Sequence, residues 1–429
     1  MTQQEAKLSM NPGGRNVLSS ALLLIWRKRV IIIFSLCLIV YLLYRFLDIQ
    51  VLFFDEREYL TLAKNLIATG VYGYEPGIPT ASRPPGYIVF ILPVVLFGFG
   101  KSGIVFVQIL LWGASIYLVG LISFCLRGPK AAALAMLLAA AYPLCVAVTL
   151  TVYPQTLTAF LVLLFMWVLL KDGLQKIDTK KSIGLGIIIG LSILVTPILL
   201  PVFFGTLFLL PVISLRHFRS LIIAVFISFC VAGPWLVRNW VVMGTPSIST
   251  IVGFNLIYAN SENASPELGT AVNIEKYSSA VRGLNEVQTD RAFRNFALKW
   301  MYDHPVAATK LYIRKFIQFF GYREVLKTQI AGTEIFQDIV AAAYYPLLCF
   351  AIIGVLFFVV TGGGCGEKTI ALFYVIAAAF HAVFLQRLRY RAEVDFLLPI
   401  LVANFLIAIM ARDQIFRRRS ETKSLATQA

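Results

Sequence analysis

The sequence predicts an all-α polytopic membrane protein with about ten transmembrane helices. Hydrophobic residues make up 59% of the 429 residues and charged residues only 14%, and the mean hydropathy is +0.80. Soluble domains average about 45–50% apolar and about 25% charged residues. Because a spanning helix needs about 20 mostly apolar residues, the apolar runs predict spans at 30–47, 102–126, 131–150, 156–170, 182–200, 202–214, 220–238, 341–360, 369–386 and 396–411.

The basic residues predict how these spans are oriented. Cytoplasmic loops carry an excess of Lys and Arg. If the proline-interrupted segment 84–100 lies in the interface without crossing, the basic loops share one side with both termini, and the short turns near 151–155 and 200 hold no Lys or Arg. We therefore expect cytoplasmic termini in a plasma (inner) membrane, and an active site on the outer, periplasmic face. The apolar run after Arg27-Lys28-Arg29 is too long for a signal peptide and predicts an uncleaved first span.

The same orientation divides the chain into five parts. Residues 1–29 form a cytoplasmic N-terminus, and residues 30–238 form a transmembrane core that contains a first outer loop at 48–101. Residues 239–340 form a small helical region on the outer side. The C-terminal transmembrane helices occupy 341–411, and a basic cytoplasmic tail follows at 412–429.

Charge and cysteine content exclude two classes of protein. The 38 Lys and Arg outnumber the 22 Asp and Glu, but they cluster in short segments between apolar runs, which argues against a nucleic-acid-binding face. Five of the six cysteines lie in apolar runs and Cys365 lies in a Gly-rich loop, so neither a disulfide framework nor a CxxC metal site is predicted.

The first outer loop carries the acidic candidates Asp55 and Glu56. Apolar residues recur after them at helical spacing, from Tyr59 to Ile67, and predict an amphipathic helix on the membrane that ends at Gly70. One interpretation is purely structural: Asp55 is the N-cap and Glu58 completes a capping box. The other is catalytic, because capping explains neither Glu56 nor the accumulation of carboxylates at a membrane surface.

Arginines form the second candidate group. Arg83 precedes two prolines, and the outer turn 386–395 carries Arg387, Arg389 and Arg391 against the positive-inside rule. Snorkelling or general headgroup binding would account for them. A guanidinium also presents a planar fork of donors that suits phosphate oxygens, so we expect these four to bind a donor phosphate. The three arginines of the turn would share one face in an extended backbone and be splayed in a helix, and the sequence leaves this open.

The outer region 239–340 predicts two amphipathic helices that cover a membrane face. The first carries Phe293, Phe296 and Trp300, and the second sets Ile313 and Phe316 opposite Lys310, Arg314 and Lys315. His304 is far in sequence from the two other histidines, so no histidine metal cluster is predicted. A divalent cation held by carboxylates and phosphate is left open.

The sequence resembles the GT-C superfamily of integral-membrane glycosyltransferases. The resemblance rests on the acidic loop and on an ordered set of segments after it: RPPGY (83–87), PWLVRN (234–239), GFNLIY (253–258), His304-Pro305 and RYR (389–391). The likeness covers roughly 50–410 and is greatest to the bacterial branch related to protein O-mannosyltransferases and the lipid A aminoarabinose transferase. It implies that Asp55 is the catalytic base, supported by Glu56. Arg83 stands where the aminoarabinose enzyme has a phosphate-binding lysine, and Ser82 stands where it has a metal-linked glutamate. Further substrate contacts are expected from Tyr59, Tyr87, Arg238, Asn239, Asn255, Tyr258, His304 and Tyr390.

The resemblance implies an inverting transfer of a hexosyl or pentosyl group from a polyprenyl-phosphate donor to a hydroxyl of a lipid, polysaccharide or protein acceptor. A general base in such a step contributes typically about 10²–10⁴-fold. No nucleotide motif is present, so no ATP is expected. Two alternatives are an O-antigen ligase or polymerase type of enzyme, which the acidic loop does not favour, and a lipid or sugar transporter, which would require charges within the spans or repeated halves.

Overall fold

The fold is all-helical in the parts of the chain that the computed structural model describes, which are residues 17–47, 54–174, 177–210, 215–323 and 333–428. No strand forms in these ranges, and short 3-10 turns occur at Pro197–Leu199 and Gly269–Ala271. The α-helices, numbered in chain order, are α1 Val17–Leu47, α2 Phe54–Thr69, α3 Gly86–Leu96, α4 Gly100–Arg127, α5 Pro129–Ala140, α6 Pro143–Thr149, α7 Gln155–Leu170, α8 Thr179–Val195, α9 Leu200–Leu209, α10 Leu215–Met243, α11 Val252–Ala259, α12 Glu275–Ala280, α13 Glu286–Asp303, α14 Pro305–Phe319, α15 Thr333–Val360, α16 Cys365–His381, α17 Leu388–Asp395 and α18 Leu397–Gln428.

Each predicted span coincides with helical structure in its described residues, and positions 211–214 of the span 202–214 lie outside them. Not every helix is long enough to cross a bilayer alone. Four described helices are both long and apolar enough, at Ser19–Leu47, Gly100–Arg127, Phe218–Met243 and Glu334–Val360. Two bent helix pairs raise this number to six. Large apolar side chains on these helices face outward, as in Val30 and Phe34, which are 65% and 66% exposed. These features indicate a multi-pass membrane protein with four to six apolar spans, whereas ten spans stay a prediction.

The predicted span 131–150 is two helices instead of one. α5 ends at Ala140, α6 begins at Pro143, and the two are bent by 61°. Tyr142 has an extended backbone between them, with φ −82° and ψ 110°. The residue before a proline is sterically disfavoured in the helical region, so Pro143 breaks the helix and starts the next one.

Close helix packing in the core depends on glycine. α8 and α10 approach each other at Gly186 and Gly190, where an added Cβ would lie 2.7 Å from the carbonyl oxygen of Ala224 and 2.6 Å from Cβ of Val231. Two small residues four apart let helix backbones come together in a bilayer. This contact holds α8 in place, and the end of α8 forms part of the cavity described below.

The outer region has its own small apolar core, built from α11–α13 around Ile257, Phe293 and Ala297. Lys315 on α14 departs from the prediction that it faces away from the apolar side. It is 2% exposed, and its ammonium donates to the carbonyl oxygens of Ala259 and Val383 and to Oδ1 of Asn260 at 2.9–3.3 Å. Burial lowers its pKa to about 7. Lys315 therefore ties α14 to α11 and to the segment after α16.

Candidate active site

Asp55 lies inside the first turn of α2, not in a cap position. The described helix begins at Phe54. Oδ1 of Asp55 accepts a hydrogen bond from Arg83, and Oδ2 accepts one from Arg389. Glu58 accepts two bonds from Arg83, at 2.6 and 3.1 Å. The capping-box interpretation is therefore wrong, because both carboxylates bind guanidinium groups. Gly70 does end the helix as expected, with φ +71°.

Three segments that are distant in sequence meet at Asp55. Nη2 of Arg83 lies 3.0 Å from Oδ1, and Nη2 of Arg389 lies 2.5 Å from Oδ2. The Arg83 guanidinium lies over the ring of Tyr59 at 5.3 Å, and that of Arg389 lies over Tyr153 at 4.2 Å. The aromatic faces favour the cations and help to fix their planes. The result is one carboxylate held between two oriented arginines.

The local environment changes the protonation behaviour of this group. Burial raises the pKa of Asp55, but the guanidinium groups of Arg389 and Arg83 outweigh burial and hold its pKa below the ordinary value of 3.8. Burial raises the pKa of Tyr59 to about 12. At neutral pH the carboxylate is ionised and the phenol is protonated. Asp55 is therefore in the form that a base requires, although its basicity is low while both arginines are bound.

The helical backbone of α17 separates the three arginines of the outer turn. Arg387, at the start of this helix, donates to the hydroxyl of Thr270 at 2.8 Å. Arg391 is 1% exposed and points into the protein, where it pairs with Asp395 at 2.9 Å. Of the three, Arg389 alone binds Asp55 in the described residues. The structure does not bring all three to Asp55: Arg387 precedes the helix with an extended backbone, and Arg389 and Arg391, two residues apart on the helix, point in different directions.

Glu56 is fully buried and acts as an anchor between segments. Its carboxylate accepts a hydrogen bond from the backbone N–H of Val152 at 2.6 Å and pairs with Lys101 at 3.4 Å. These contacts fix the first turn of α2 against α4 and against the loop after α6. Because Glu56 is next to Asp55 in the chain, these contacts also hold Asp55 in position.

A cavity of about 340 Å³ adjoins this cluster. Four of the predicted site residues line it, namely Tyr59, Arg83, Asn255 and Tyr390. Asp55 is not itself a lining residue, but it binds Arg83, which is. Most of the remaining wall is apolar, and its lining side chains are Pro84, Pro154, Gln155, Val195, Thr196, Pro197, Ile198, Pro201, Ser249, Ile251, Val252, Phe380, His381, Phe384, Leu385 and Glu393.

Two other predicted residues support the first loop instead of lining the cavity. Tyr87 donates to Oε1 of Gln108 at 2.9 Å, and its ring packs edge-on against Tyr59 at 5.1 Å. Arg238 donates to the carbonyl oxygen of Thr80 at 2.7 Å. Both contacts hold the loop that presents Arg83.

The last three predicted residues also lie away from the cavity wall. Asn239 is buried and donates to the carbonyl oxygen of Ser247. Tyr258 packs against Phe254 at 4.5 Å between ring centres. His304 is exposed at the junction of α13 and α14. None of them contacts Asp55 in the described structure.

Sequence reasoning missed the polar residues Gln155, His381 and Glu393 in the cavity wall. Gln155 directly precedes the predicted span 156–170 and carries no sequence signal. His381 lies within the predicted span 369–386, where an ionisable residue is a signal of function. Glu393 also carries one, since it follows Arg389 by four residues and four-residue spacing places side chains on one helix face.

The described residues do not fit a resident metal ion. No group of three or more His, Cys, Asp or Glu side chains comes together in the described ranges. Asp55 and Glu58 are paired with Arg83. Ser82 shares a hydrogen bond with the Tyr74 hydroxyl.

No protein-family model matches the sequence, and no curated protein matches it. Several solved structures are similar to this chain. They include ArnT from Cupriavidus metallidurans bound to undecaprenyl phosphate, with 12% identity, 88% of this chain and 78% of that chain covered and a TM-score of 0.46. The archaeal oligosaccharyltransferase AglB from Archaeoglobus fulgidus, in complex with an inhibitory peptide and a dolichol-phosphate, matches at 15% identity over 92% of this chain, with a TM-score of 0.48. This chain spans only 52% of the AglB chain.

Proposed function

We propose that this protein is an inverting membrane glycosyltransferase of the GT-C type, which moves a hexosyl or pentosyl group from a polyprenyl phosphate to an acceptor hydroxyl at the outer face of the membrane. One observation carries the proposal. The Asp55 carboxylate lies between Arg83 and Arg389, beside a largely apolar cavity. The reaction needs a base and groups that bind phosphate, and here the base contacts two arginines, of which Arg83 lines the cavity.

The chemical step is a single displacement. Asp55 accepts the proton of the acceptor hydroxyl while that oxygen attacks the anomeric carbon. The bond between that carbon and the phosphate oxygen breaks, and the electron pair leaves with the polyprenyl phosphate. The anomeric centre is inverted, the phosphate gains one negative charge and Asp55 becomes neutral. The activated donor supplies the free energy.

Arg83 and Arg389 have two functions in this proposal. Without substrate they neutralise Asp55 and keep its pKa low. A donor phosphate competes with Asp55 for the same N–H groups, so binding of the donor weakens their hold on the carboxylate and raises its basicity. The same groups then stabilise the negative charge that develops on the leaving phosphate. Donor binding thereby prepares the base.

The membrane placement follows from the charge pattern. The positive-inside rule supports cytoplasmic termini and puts the first loop 48–101, the region 239–340 and the turn 386–395 on the outer side. Asp55, Arg83 and Arg389 come from the first and last of these segments. We therefore place the site on the outer face of the plasma membrane, where a polyprenyl donor enters from the bilayer and a lipid, polysaccharide or protein acceptor is accessible.

The test compares envelope glycans and lipids of cells that lack the protein with those of cells complemented by wild type, Asp55→Asn or Asp303→Asn. We expect mass spectrometry to show one glycosylated species that disappears without the protein and returns with wild type. Asp303 pairs with the exposed Lys299 on α13, so Asp303→Asn is a matched control and should restore the species. Asp55→Asn should not restore it, although the variant still binds polyprenyl phosphate.

The alternatives give other results. A transporter tolerates Asp55→Asn, because transport requires no base and the amide oxygen of Asn still accepts a hydrogen bond from an arginine. An arginine-driven ligase also retains turnover without the carboxylate. Full restoration of the missing species by Asp55→Asn would therefore refute the base-dependent mechanism.

A further inference from the structure

The cavity wall contains three polar side chains that the proposed transfer step does not use. Gln155 at the start of α7, His381 at the end of α16 and Glu393 on α17 all line it. They are 3%, 2% and 1% exposed. Three helices thus bring these polar groups to a largely apolar cavity wall.

These side chains have polar atoms without partners in the described structure. Oε1 of Gln155, Oε2 of Glu393 and both ring nitrogens of His381 make no hydrogen bond there. Gln155 and Glu393 also bind each other: Nε2 of Gln155 donates to Oε1 of Glu393 at 3.3 Å. Buried polar groups are satisfied in most structures, and an unsatisfied one calls for a ligand, a water or another explanation. Here, four such atoms surround one cavity.

The chemistry of these atoms restricts what can bind. The amide oxygen of Gln155 accepts hydrogen bonds, and a neutral His381 ring has one donor and one acceptor nitrogen. Burial raises the pKa of Glu393 to about 8, so at neutral pH its carboxyl group is mostly protonated and can donate as well as accept. The ligand must therefore both donate and accept, as hydroxyl groups do. The rings of Tyr59 and Tyr390 line the same space and offer flat apolar surfaces. A hydroxyl-rich ring with apolar faces matches both features, and a small set of polar groups in an apolar pocket is how proteins fix the orientation of such a ligand.

The position of the group relates it to the phosphate site. Glu393 follows Arg389 by four residues on α17, and side chains with this spacing have Cβ atoms about 5–6 Å apart. A sugar ring attached to a phosphate at Arg389 spans a similar distance. The ring would therefore reach Glu393 and its partner Gln155.

We propose that Gln155, His381 and Glu393 form the subsite that binds the hydroxyl groups of the donor sugar and selects which sugar is transferred. This inference rests on the proposed function, because it requires a donor whose phosphate is held by Arg83 and Arg389. It goes further in assigning sugar recognition to three named side chains outside that cluster.

The test measures binding to the purified full-length protein in detergent. The probes are undecaprenyl phosphate and a panel of undecaprenyl phosphates that carry glucose, galactose, mannose, arabinose or an amino sugar. We expect wild type to bind at least one sugar-bearing probe about tenfold or more tighter than the bare lipid, since the sugar would supply hydrogen bonds to several buried groups that otherwise have no partner. Gln155→Leu and His381→Phe should lose this gain and keep the affinity for the bare lipid.

A matched control is available in Asn404 on α18. Its amide nitrogen donates to Glu367 at 3.2 Å, and its amide oxygen has no partner in the described structure. Asn404 is thus bonded as Gln155 is, but it does not line the cavity. Asn404→Leu should keep the sugar-dependent gain. His381→Phe retains ring packing on Phe319 and Tyr390, so it tests the inference even if Gln155→Leu does not fold.

Three results would overturn the inference: no sugar of the panel improves binding to wild type, both variants keep the gain, or the variants weaken only the use of acceptor. None of these contradicts the proposed function. The proposed function fails separately, if bare undecaprenyl phosphate does not bind or if its binding is unchanged in Arg389→Gln.

Discussion

Arg389 donates a hydrogen bond to Oδ2 of Asp55 at 2.5 Å, although 334 residues separate them in sequence. Their side chains are 27% and 23% exposed, so the pair is shielded from bulk water but accessible to a ligand. This contact joins the first outer loop to the turn before the last helix. It makes the candidate base depend on a residue from the far end of the chain.

Arg389→Gln should reduce transfer about 10²–10³-fold, the usual cost of removing one donor that stabilises developing negative charge. Binding of undecaprenyl phosphate should also weaken. The measurement is the single-turnover rate with a saturating labelled donor, together with a binding isotherm. Arg282→Gln is the control, because Arg282 is an exposed arginine paired with Glu275, and it should retain the wild-type rate. A wild-type rate in Arg389→Gln would exclude Arg389 from the site.

The pH dependence of kcat/KM for transfer, which reports the donor-free enzyme, should show no loss attributable to Asp55 between pH 8 and pH 5. The pKa of Asp55 lies below 3.8, so the carboxylate is present above that value and is lost only as the pH falls through the lowered pKa. In Arg389→Gln one of the two groups that lower the pKa is gone. The acid limb of the normalised rate should then move up by about one pH unit or more, and an unmoved limb would show that another group limits the rate in acid.

Arg391→Met should destabilise the protein without removing donor binding. Arg391 pairs with Asp395 at 2.9 Å and donates to the carbonyl oxygen of Gly321, while its guanidinium lies 3.5 Å over the ring of Tyr344. Removing one partner of a buried ion pair costs about 3–5 kcal/mol. The unfolding temperature in detergent should fall markedly, whereas the protein that remains folded should bind undecaprenyl phosphate normally. Normal stability with lost binding would instead support Arg391 as a phosphate ligand.

Lys101→Met should be more harmful than the double substitution Lys101→Met/Glu56→Gln. The single change leaves the fully buried Glu56 carboxylate without its ammonium partner, and an uncompensated buried charge is strongly destabilising. In the double variant the side chain at 56 is neutral and still accepts from the N–H of Val152. A double-mutant cycle of unfolding temperatures measures the coupling between the two sites. Simple additivity would mean that Glu56 and Lys101 do not act as a pair.

Much of the candidate site could be predicted from the sequence, because helical spacing and the placement of charged residues in loops are both local signals. Helical spacing after Asp55 and the stop at Gly70 predicted α2, and the prolines after Arg83 marked the loop that presents it. Arginines in a short outer turn pointed to Arg389 through the positive-inside rule. These inferences needed only the neighbours of each residue along the chain.

Composition, helical periodicity and the positions of charged residues thus determined that the chain is a helical membrane protein and which loops carry the candidate site residues. The tertiary structure decided which of those groups meet: Arg389 at Asp55, Arg391 at Asp395 in the interior, and Gln155, His381 and Glu393 around one cavity. The physical reason is that a side chain's direction depends on the helical phase of its own segment, and its partner depends on how distant helices pack, and neither is encoded within a short window of sequence.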